Sequence, residues 1–305
     1  MNQIEDMQTF VRIVEAGSIT KAAEQMNTVK SAVSRRLSEL EKRLGVALLT
    51  RTTRSQSLTD SGKSYYLQSV RIIDDVAEVE SSILNEHCAL VGRIKVAVPL
   101  SFGLAHLAPA LRKFNEIQPG IHFDIDFNDR KVDLIEEGFD LAIRITQLED
   151  SSLIARKITS TQMILAASPA YLKTHGHPKS IKDLLNVQNK HVKLNYKNSP
   201  ENWSFFDGNK KLVTLNLPSV LDANNGEYLC QAAVDGMGLI YIPDFICYKY
   251  IKLKQLIPIL TNHIKLEELG TYAIYPQTRH LSRRVRNLID FLSEYFGDVP
   301  YWSTV

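Results

Sequence analysis

The run K-S-A-V-S-R-R at residues 30–36 places Lys30, Ser31, Ser34, Arg35 and Arg36 within two turns of a helix. Val33, Leu37, Leu40 and Leu44 recur at spacings of four, three and four, so such a helix buries one apolar stripe. Its opposite face is small, polar and basic. Lys and Arg bond guanine acceptors or phosphate, and Ser bonds base edges or backbone. That chemistry suits a helix lying in a DNA major groove. Arg36 borders the stripe, where a DNA backbone contact, base readout and an intradomain ion pair all remain open. Arg51, Thr53 and Arg54 follow as a second basic group able to reach a sugar-phosphate backbone.

A third group suits a small ligand. Leu100, Ser101 and Phe102 follow Pro99 at a strand-to-helix junction, where backbone N–H groups and the Ser101 hydroxyl fit a carboxylate or other anion. Asn128 and Asp129 end the next strand, and Asn224 and Asn225 precede a later helix; a cap or turn role competes at each. For Arg144, after an apolar strand, an internal ion pair is favoured over an anionic ligand. Other chemistry fails on inspection. Asp124, Asp126 and Asn128 imitate a calcium loop, but Asp129 stands where Gly is required and Ile135 where Glu belongs. His175 and His177 lack further ligands at zinc spacing. Gly236-Met-Gly238 follows a helix, whereas a dinucleotide fingerprint precedes one. No nucleophile motif is present, and no cofactor or metal is expected.

The elements that must position these groups can be read in order. Met7, Phe10, Val11 and Val14 form a first amphipathic helix ending near Gly17, and Ser18 is an N-cap for the next. Ala22 and Ala23 allow two helices to cross closely, Met26–Thr28 makes the turn, and Thr28 is expected to cap a helix from Val29 to Leu44, ended by Gly45. Leu48–Arg51 and Ser57–Leu58 read as short strands around the tip 52–54, a wing. From Thr59 to about Cys88 a long helix carries two apolar seams, Tyr65-Ile72-Val76-Val79-Ile83 and Tyr66-Val70-Ile73-Ala77. One chain cannot bury both, so pairing with a second copy is expected.

After Gly92 the pattern becomes strand (93–98), helix (103–117), strand (121–127), short helix (132–137) and strand (141–145). A second set follows: strands at 163–167, 192–194 and 219–222, a helix at 227–235 and a strand at 239–242. The strand 272–275 and the helix 282–296 end it. This alternation predicts a mostly parallel sheet with flanking helices, in two α/β lobes with a ligand cleft between them.

Of the 305 residues, 44% are hydrophobic and 23% charged, ordinary for a globular chain. The net charge of +2 is uninformative, but its distribution is not. Between Thr28 and Lys63 eight basic residues face three acids, whereas residues 64–305 hold 26 basic and 27 acidic groups. The positive charge therefore sits where a phosphate-binding helix is expected. Cys88, Cys230 and Cys247 are widely spaced, which fits a reducing compartment; a buried thiol is expected at Cys230 rather than a redox sensor. With no signal peptide and no run approaching a membrane span, a cytoplasmic protein without a membrane partner is expected.

Several stretches together resemble the LysR-type transcriptional regulators: Ala22-Ala23, Ser31-Ala-Val-Ser-Arg35, Leu40-Glu41, Leu44-Gly45, Arg51, Arg54, Leu58-Thr59 and Gly62. Gly92-Arg-Ile-Lys-Val, Asp140-Leu-Ala-Ile-Arg144, Asp150-Ser-Ser-Leu, Ala167-Ser-Pro-Ala-Tyr171 and Gly236-Met-Gly-Leu-Ile extend the likeness along the chain. The resemblance implies an α+β and α/β architecture. Its expected parts are a winged helix-turn-helix (1–59), a linker and dimerisation helix (60–90) and a two-lobed effector domain (91–305) like a periplasmic binding protein. Lobe I would comprise about 91–161 and 268–305, and lobe II about 162–267. It implies a non-enzymatic regulator of double-stranded DNA, controlled by a small, anionic effector and commonly tetrameric. The competing class is a small-molecule binding protein or transferase whose N-terminal helices serve assembly only. Val29-Lys30 departs from the Ser-Gln frequent in the family. Gln reads adenine, whereas Lys favours guanine or phosphate, so Lys30 is expected to shift the preferred site.

Overall fold

The computed structural model describes residues 2–51, 56–84, 90–146, 153–185, 191–197, 202–206, 212–261, 268–277 and 281–303. The N-terminal part is α1 (Gln3–Ala16), α2 (Ile19–Gln25) and α3 (Lys30–Leu44), then the antiparallel pair β1 (Leu49–Arg51) and β2 (Gln56–Leu58). Their apolar faces meet in one core of Phe10, Ile13, Ala22, Ala23, Val33, Leu37, Leu40 and Leu48. Ser18 caps α2 by accepting from the Lys21 N–H at 3.1 Å, and Gly45 ends α3 at φ +72°. The start of α3 differs from expectation. Val29, not Thr28, holds the N-cap position and gives no side-chain cap. The Thr28 N–H instead bonds Ala23 O at 2.9 Å, which keeps Thr28 in the turn.

Helix α4 (Asp60–Leu84) leaves this body and docks on the second. Tyr65 and Tyr66 pack against the N-terminal core. Further along α4, Arg71 pairs with Asp140 at 3.6 Å, and Asp75 and Asp74 lie 3.4 and 3.8 Å from the fully buried Arg284. Arg284 Nε also donates to Arg93 O at 3.0 Å. Burial is the main influence raising the pKa values of Asp74 and Asp140, with the neighbouring arginines opposing it.

The second body begins with β3 (Gly92–Val98), α5 (Leu100–Phe102), a π-helical turn (Gly103–Leu107) and α6 (Ala108–Ile117), followed by β4 (Ile121–Phe127), β5 (Leu141–Thr146) and β6 (Leu153–Ala167). Then come α7 (Pro169–His175), α8 (Ile181–Leu184), β7 (Lys193–Tyr196), β8 (Trp203–Phe206), β9 (Leu212–Leu215) and β10 (Ser219–Ala223). It ends with α9 (Gly226–Val234), β11 (Leu239–Pro243), α10 (Asp244–Lys252), β12 (Ile257–Pro258), β13 (Glu268–Pro276) and α11 (Arg283–Phe296). The main sheet runs β10-β7-β11-β6-β13-β5-β3-β4. Its ends are parallel, but β13 is antiparallel to both β5 and β6, and β11 is antiparallel to β6. The sheet is therefore mixed rather than mostly parallel. The expected strand at 163–167 is only the far end of β6, whose first residues pair with β13 and last with β11. Both half-sheets hang on that one strand.

Two more expectations change. The helix expected from Gly103 starts at Leu100 and passes through the π-helical turn. Residues 132–137 form no helix: Asp133 Oδ1 accepts from the N–H groups of Ile135 and Glu136 at 2.9 Å, closing a turn. Among the described residues, no helix is long and apolar enough to cross a membrane, and no group of three or more His, Cys, Asp or Glu could hold a metal ion. Cys230 and Cys247 are buried free thiols, and burial pushes the Cys247 thiol up to about 12.

Residues 300–303 close the back of this body. Trp302 is fully buried, and its ring centroid lies 4.4 Å from that of His106 and 5.9 Å from that of Phe102. His106 Nε2 lies 3.0 Å from Phe245 O, which can only accept, and Nδ1 lies 2.5 Å from Tyr301 Oη. Nε2 therefore carries a proton. Buried Asp244 accepts from the Phe245 N–H at 2.8 Å, from Ser303 Oγ at 3.3 Å and from Thr161 Oγ1. Burial lowers His106 to about 4 and raises Asp244 to about 6.

These two groups drive opposite pH responses. The unfolded chain protonates His106 more readily than the fold does, so stability is complete above about 6.5 and declines as pH falls toward about 4. The folded chain protonates Asp244 more readily, so that contribution is present below 3.8 and lost as pH rises through about 6. Denaturant unfolding at a series of pH values should show His106→Gln weakening the loss on the acid side. Asp244→Asn should instead weaken the decline with rising pH. Parallel curves for both variants and the parent would contradict this.

Candidate functional site

The outer face of α3 carries exposed Lys30, Ser31 and Arg35 and half-buried Ser34, while Val33, Leu37 and Leu40 are 1–2% exposed beneath them. Val29 gives the first-turn N–H groups of α3 no side-chain cap. Arg35 lies 3.9 Å from Glu39 one turn on, but both side chains are exposed, so the pair is weak. Arg36 behaves differently. Its guanidinium bonds Glu5 Oε2 at 3.0 Å and Thr9 Oγ1 at 3.3 Å on α1, so the structure takes the intradomain alternative. Arg51 ends β1, and Thr53 and Arg54 lie outside the described residues.

Several groups that set α3 do so through contacts that spacing in the sequence does not reveal. Asp6, 3% exposed, accepts from Arg43 Nη2 at 2.8 Å and ties the end of α3 to α1. Glu41 Oε1 accepts from the N–H groups of Leu48 and Leu49 at 2.8 and 3.2 Å, fastening the base of the wing to α3. Thr59 Oγ1 donates to Ala47 O and accepts from the Gly62 N–H at 2.9 Å, so the wing and α4 share one joint. A Cβ on Gly62 would stand 2.0 Å from Leu48 O, which is why glycine occupies that place.

In the second body a cleft of about 540 Å³ opens between the halves joined by β6. Ser101, Phe102, Asp129, Lys131, Leu134, Arg144 and Ile145 line one side, and Met163, Tyr196, Pro243, Phe245 and Ile246 the other. Of the residues singled out in sequence, Ser101, Phe102 and Asp129 reach it; Leu100, Asn128, Asn224 and Asn225 are not in its lining. The Leu100 N–H donates to Asp129 Oδ1 at 3.3 Å, so the helix start expected to receive a ligand anion already holds a carboxylate. Asn128 Nδ2 donates to Asp126 at 2.8 Å, Asn225 caps α9 through the Tyr228 N–H at 2.9 Å, and Asn224 is exposed. The cap reading holds at Asn225.

Arg144 reverses its expectation. It is half-buried in the cleft wall and, among the described residues, has no hydrogen-bond or ion-pair partner. Burial, then repulsion from Arg130, lowers its pKa, with Asp129 opposing. Its placement follows from the ladder. β3 pairs with β5 at Val96–Leu141 and Ala97–Ala142 and then stops at Val98, so Arg144 projects past the carboxyl end of that strand. In parallel α/β sheets that is where ligands bind.

Arg35 and Arg36 should separate cleanly. Arg35→Ala should cost about 1–3 kcal/mol of discrimination between specific and nonspecific DNA with little change in melting temperature. Arg36→Ala should lower the melting temperature and leave that ratio nearer the parent's. Equal ratios for Arg35→Ala and the parent in competition binding would contradict the base-contact assignment.

Comparison with known proteins agrees with this geometry. Residues 4–63 match the family described as bacterial regulatory helix-turn-helix protein, lysR family, and residues 89–297 match the LysR substrate binding domain. An uncharacterized HTH-type transcriptional regulator of Haemophilus influenzae is 37% identical over 94% of this chain and 99% of its own. The HTH-type transcriptional regulator CrgA of Neisseria meningitidis serogroup B is 34% identical over 96% of this chain and 97% of its own. The solved structure of CrgA superposes with a TM-score of 0.62 at 33% identity, covering 96% of this chain and 99% of that one. With a DNA-reading head and a ligand-binding body both matched along nearly its whole length, the chain belongs to the LysR family of transcriptional regulators and is not an enzyme.

Proposed function

We propose that this regulator controls transcription through a small anionic effector held in the cleft, and that Lys30, Ser31, Ser34 and Arg35 of α3 read its operator. The observation that carries the effector reading is the half-buried, unpartnered Arg144 in a cleft shared by both halves of the second body. Lys131 adds a second positive charge there, and Asp129 is the one carboxylate among the described lining residues. For DNA, the support is the outward-facing basic surface of α3 above a buried apolar stripe. The open first turn of α3 leaves N–H groups for a phosphate. Arg51, Thr53 and Arg54 serve the backbone from the wing, and Arg36 braces α3 from behind.

The working unit is a homodimer, assembled into a tetramer. On α4, Ile72 and Val79 of one apolar seam are 40% and 59% exposed, as surface awaiting a second copy would be. Two heads so joined read a two-fold site with half-sites one turn of DNA, or a multiple, apart. The parts divide at about residues 59 and 90, with lobe I at about 91–161 and 268–305 and lobe II at about 162–267. The site of action is the cytoplasm.

Selecting duplexes from a random library with the full chain tests the DNA reading. Enrichment of a two-fold-symmetric sequence is expected, and Lys30→Gln should change the preferred base at one position per half-site or lower the salt slope of binding. No enrichment would overturn operator reading, and an identical sequence and slope for Lys30→Gln would remove Lys30 from it.

A further inference from the structure

Two places in the cleft could receive a negative ligand, and they are not equivalent. The start of α5 is taken, because Asp129 Oδ1 accepts from the Leu100 N–H. Arg144 is not: its side chain is half-buried in the cleft wall and, among the described residues, takes no hydrogen bond or ion pair. A cation that burial partly strips of water gains from an anion that completes it. A planar guanidinium matches a carboxylate with two parallel hydrogen bonds.

The surroundings define the rest of the ligand. Phe102, Leu134, Ile145, Met163, Phe245 and Ile246 make most of the wall apolar. Asp129 stands near Arg144 and would repel a second carboxylate. The cavity of about 540 Å³ has the size of a small-molecule site. We propose that the effector is an organic acid with one carboxylate on an apolar body, and that Arg144 is the counter-ion that orients it. This rests on the cleft being the effector site, and it moves the anion from the helix start to β5.

Thermal melting of the full chain tests both parts, with sodium phenylacetate as probe and phenylacetamide, sodium succinate and L-phenylalanine as comparisons. Phenylacetate should raise the melting temperature most, since a ligand that binds only the fold stabilises it by mass action. Arg144→Gln should bind phenylacetate about tenfold or more weakly. Without ligand, Arg144→Gln should melt no lower than the parent, because among the described residues Arg144 has no hydrogen bond or ion pair to lose; a merely structural arginine would give a lower value. Arg144→Lys should retain part of the shift. The ligand class is overturned if phenylacetate gives no shift in the parent, or if the amide, the diacid or the amino acid matches it. The Arg144 assignment is overturned if Arg144→Gln keeps the full shift or melts lower without ligand. Ser101→Trp, which fills the cleft, separates the two failures. A shift lost there but kept in Arg144→Gln removes Arg144 and spares the cleft, whereas a shift that survives Ser101→Trp removes the cleft itself.

Discussion

One strand, β6, belongs to both halves of the sheet, and the cleft exists because of it. Leu153–Gln162 pairs with β13, and Met163–Ala166 pairs with β11. Along β6 itself, a change in the angle between the halves is absorbed within a hydrogen-bonded strand. Asp244 and Gly297 grip that strand where it passes from one half to the other: Thr161 donates to Asp244, and Thr159 donates to Gly297 O at 2.7 Å. The wall behind Phe102 and Phe245 is therefore stiff, and the geometry of the cleft depends on few degrees of freedom.

The same economy applies between cleft and DNA-binding head. β5 carries Arg144 into the cleft, and Asp140, just before its first residue, pairs with Arg71 of α4. From the other side Arg284 reaches Asp74 and Asp75. Each partner thus gives an arginine and takes a carboxylate, so α4 is fixed in register on the second body. At its other end α4 shares the Thr59–Gly62 joint with the wing. A continuous path of strand, ion pairs and helix connects Arg144 to the base of the DNA-reading face.

Much of this was legible in sequence because it depends on local periodicity. The stripe on α3, the Ser18 cap, the Gly45 terminator and the run of strands and helices all follow from spacing. What was hidden is set by partners far away along the chain. The first half of β6 reads A-R-K-I-T-S-T, too polar to show as a strand, yet its edges are paired on β13. Strand direction leaves no trace in composition, so the antiparallel insertion of β13 was invisible. Thr28 was misplaced because a backbone bond to Ala23 outweighed its value as a cap. Arg144 was misjudged for a similar reason: whether a cation finds a carboxylate is decided by the fold, and here the nearby Asp129 is turned to Leu100.

The central claim is that one chain links a ligand cleft to a DNA-reading face through a shared free energy. The direct measurement is the affinity of the full chain for its selected duplex at fixed salt, with and without a saturating carboxylate that stabilises the fold. A coupled molecule shifts that affinity by about five- to 150-fold in either direction. Superimposable binding curves, obtained with the cleft demonstrably occupied, would contradict the claim.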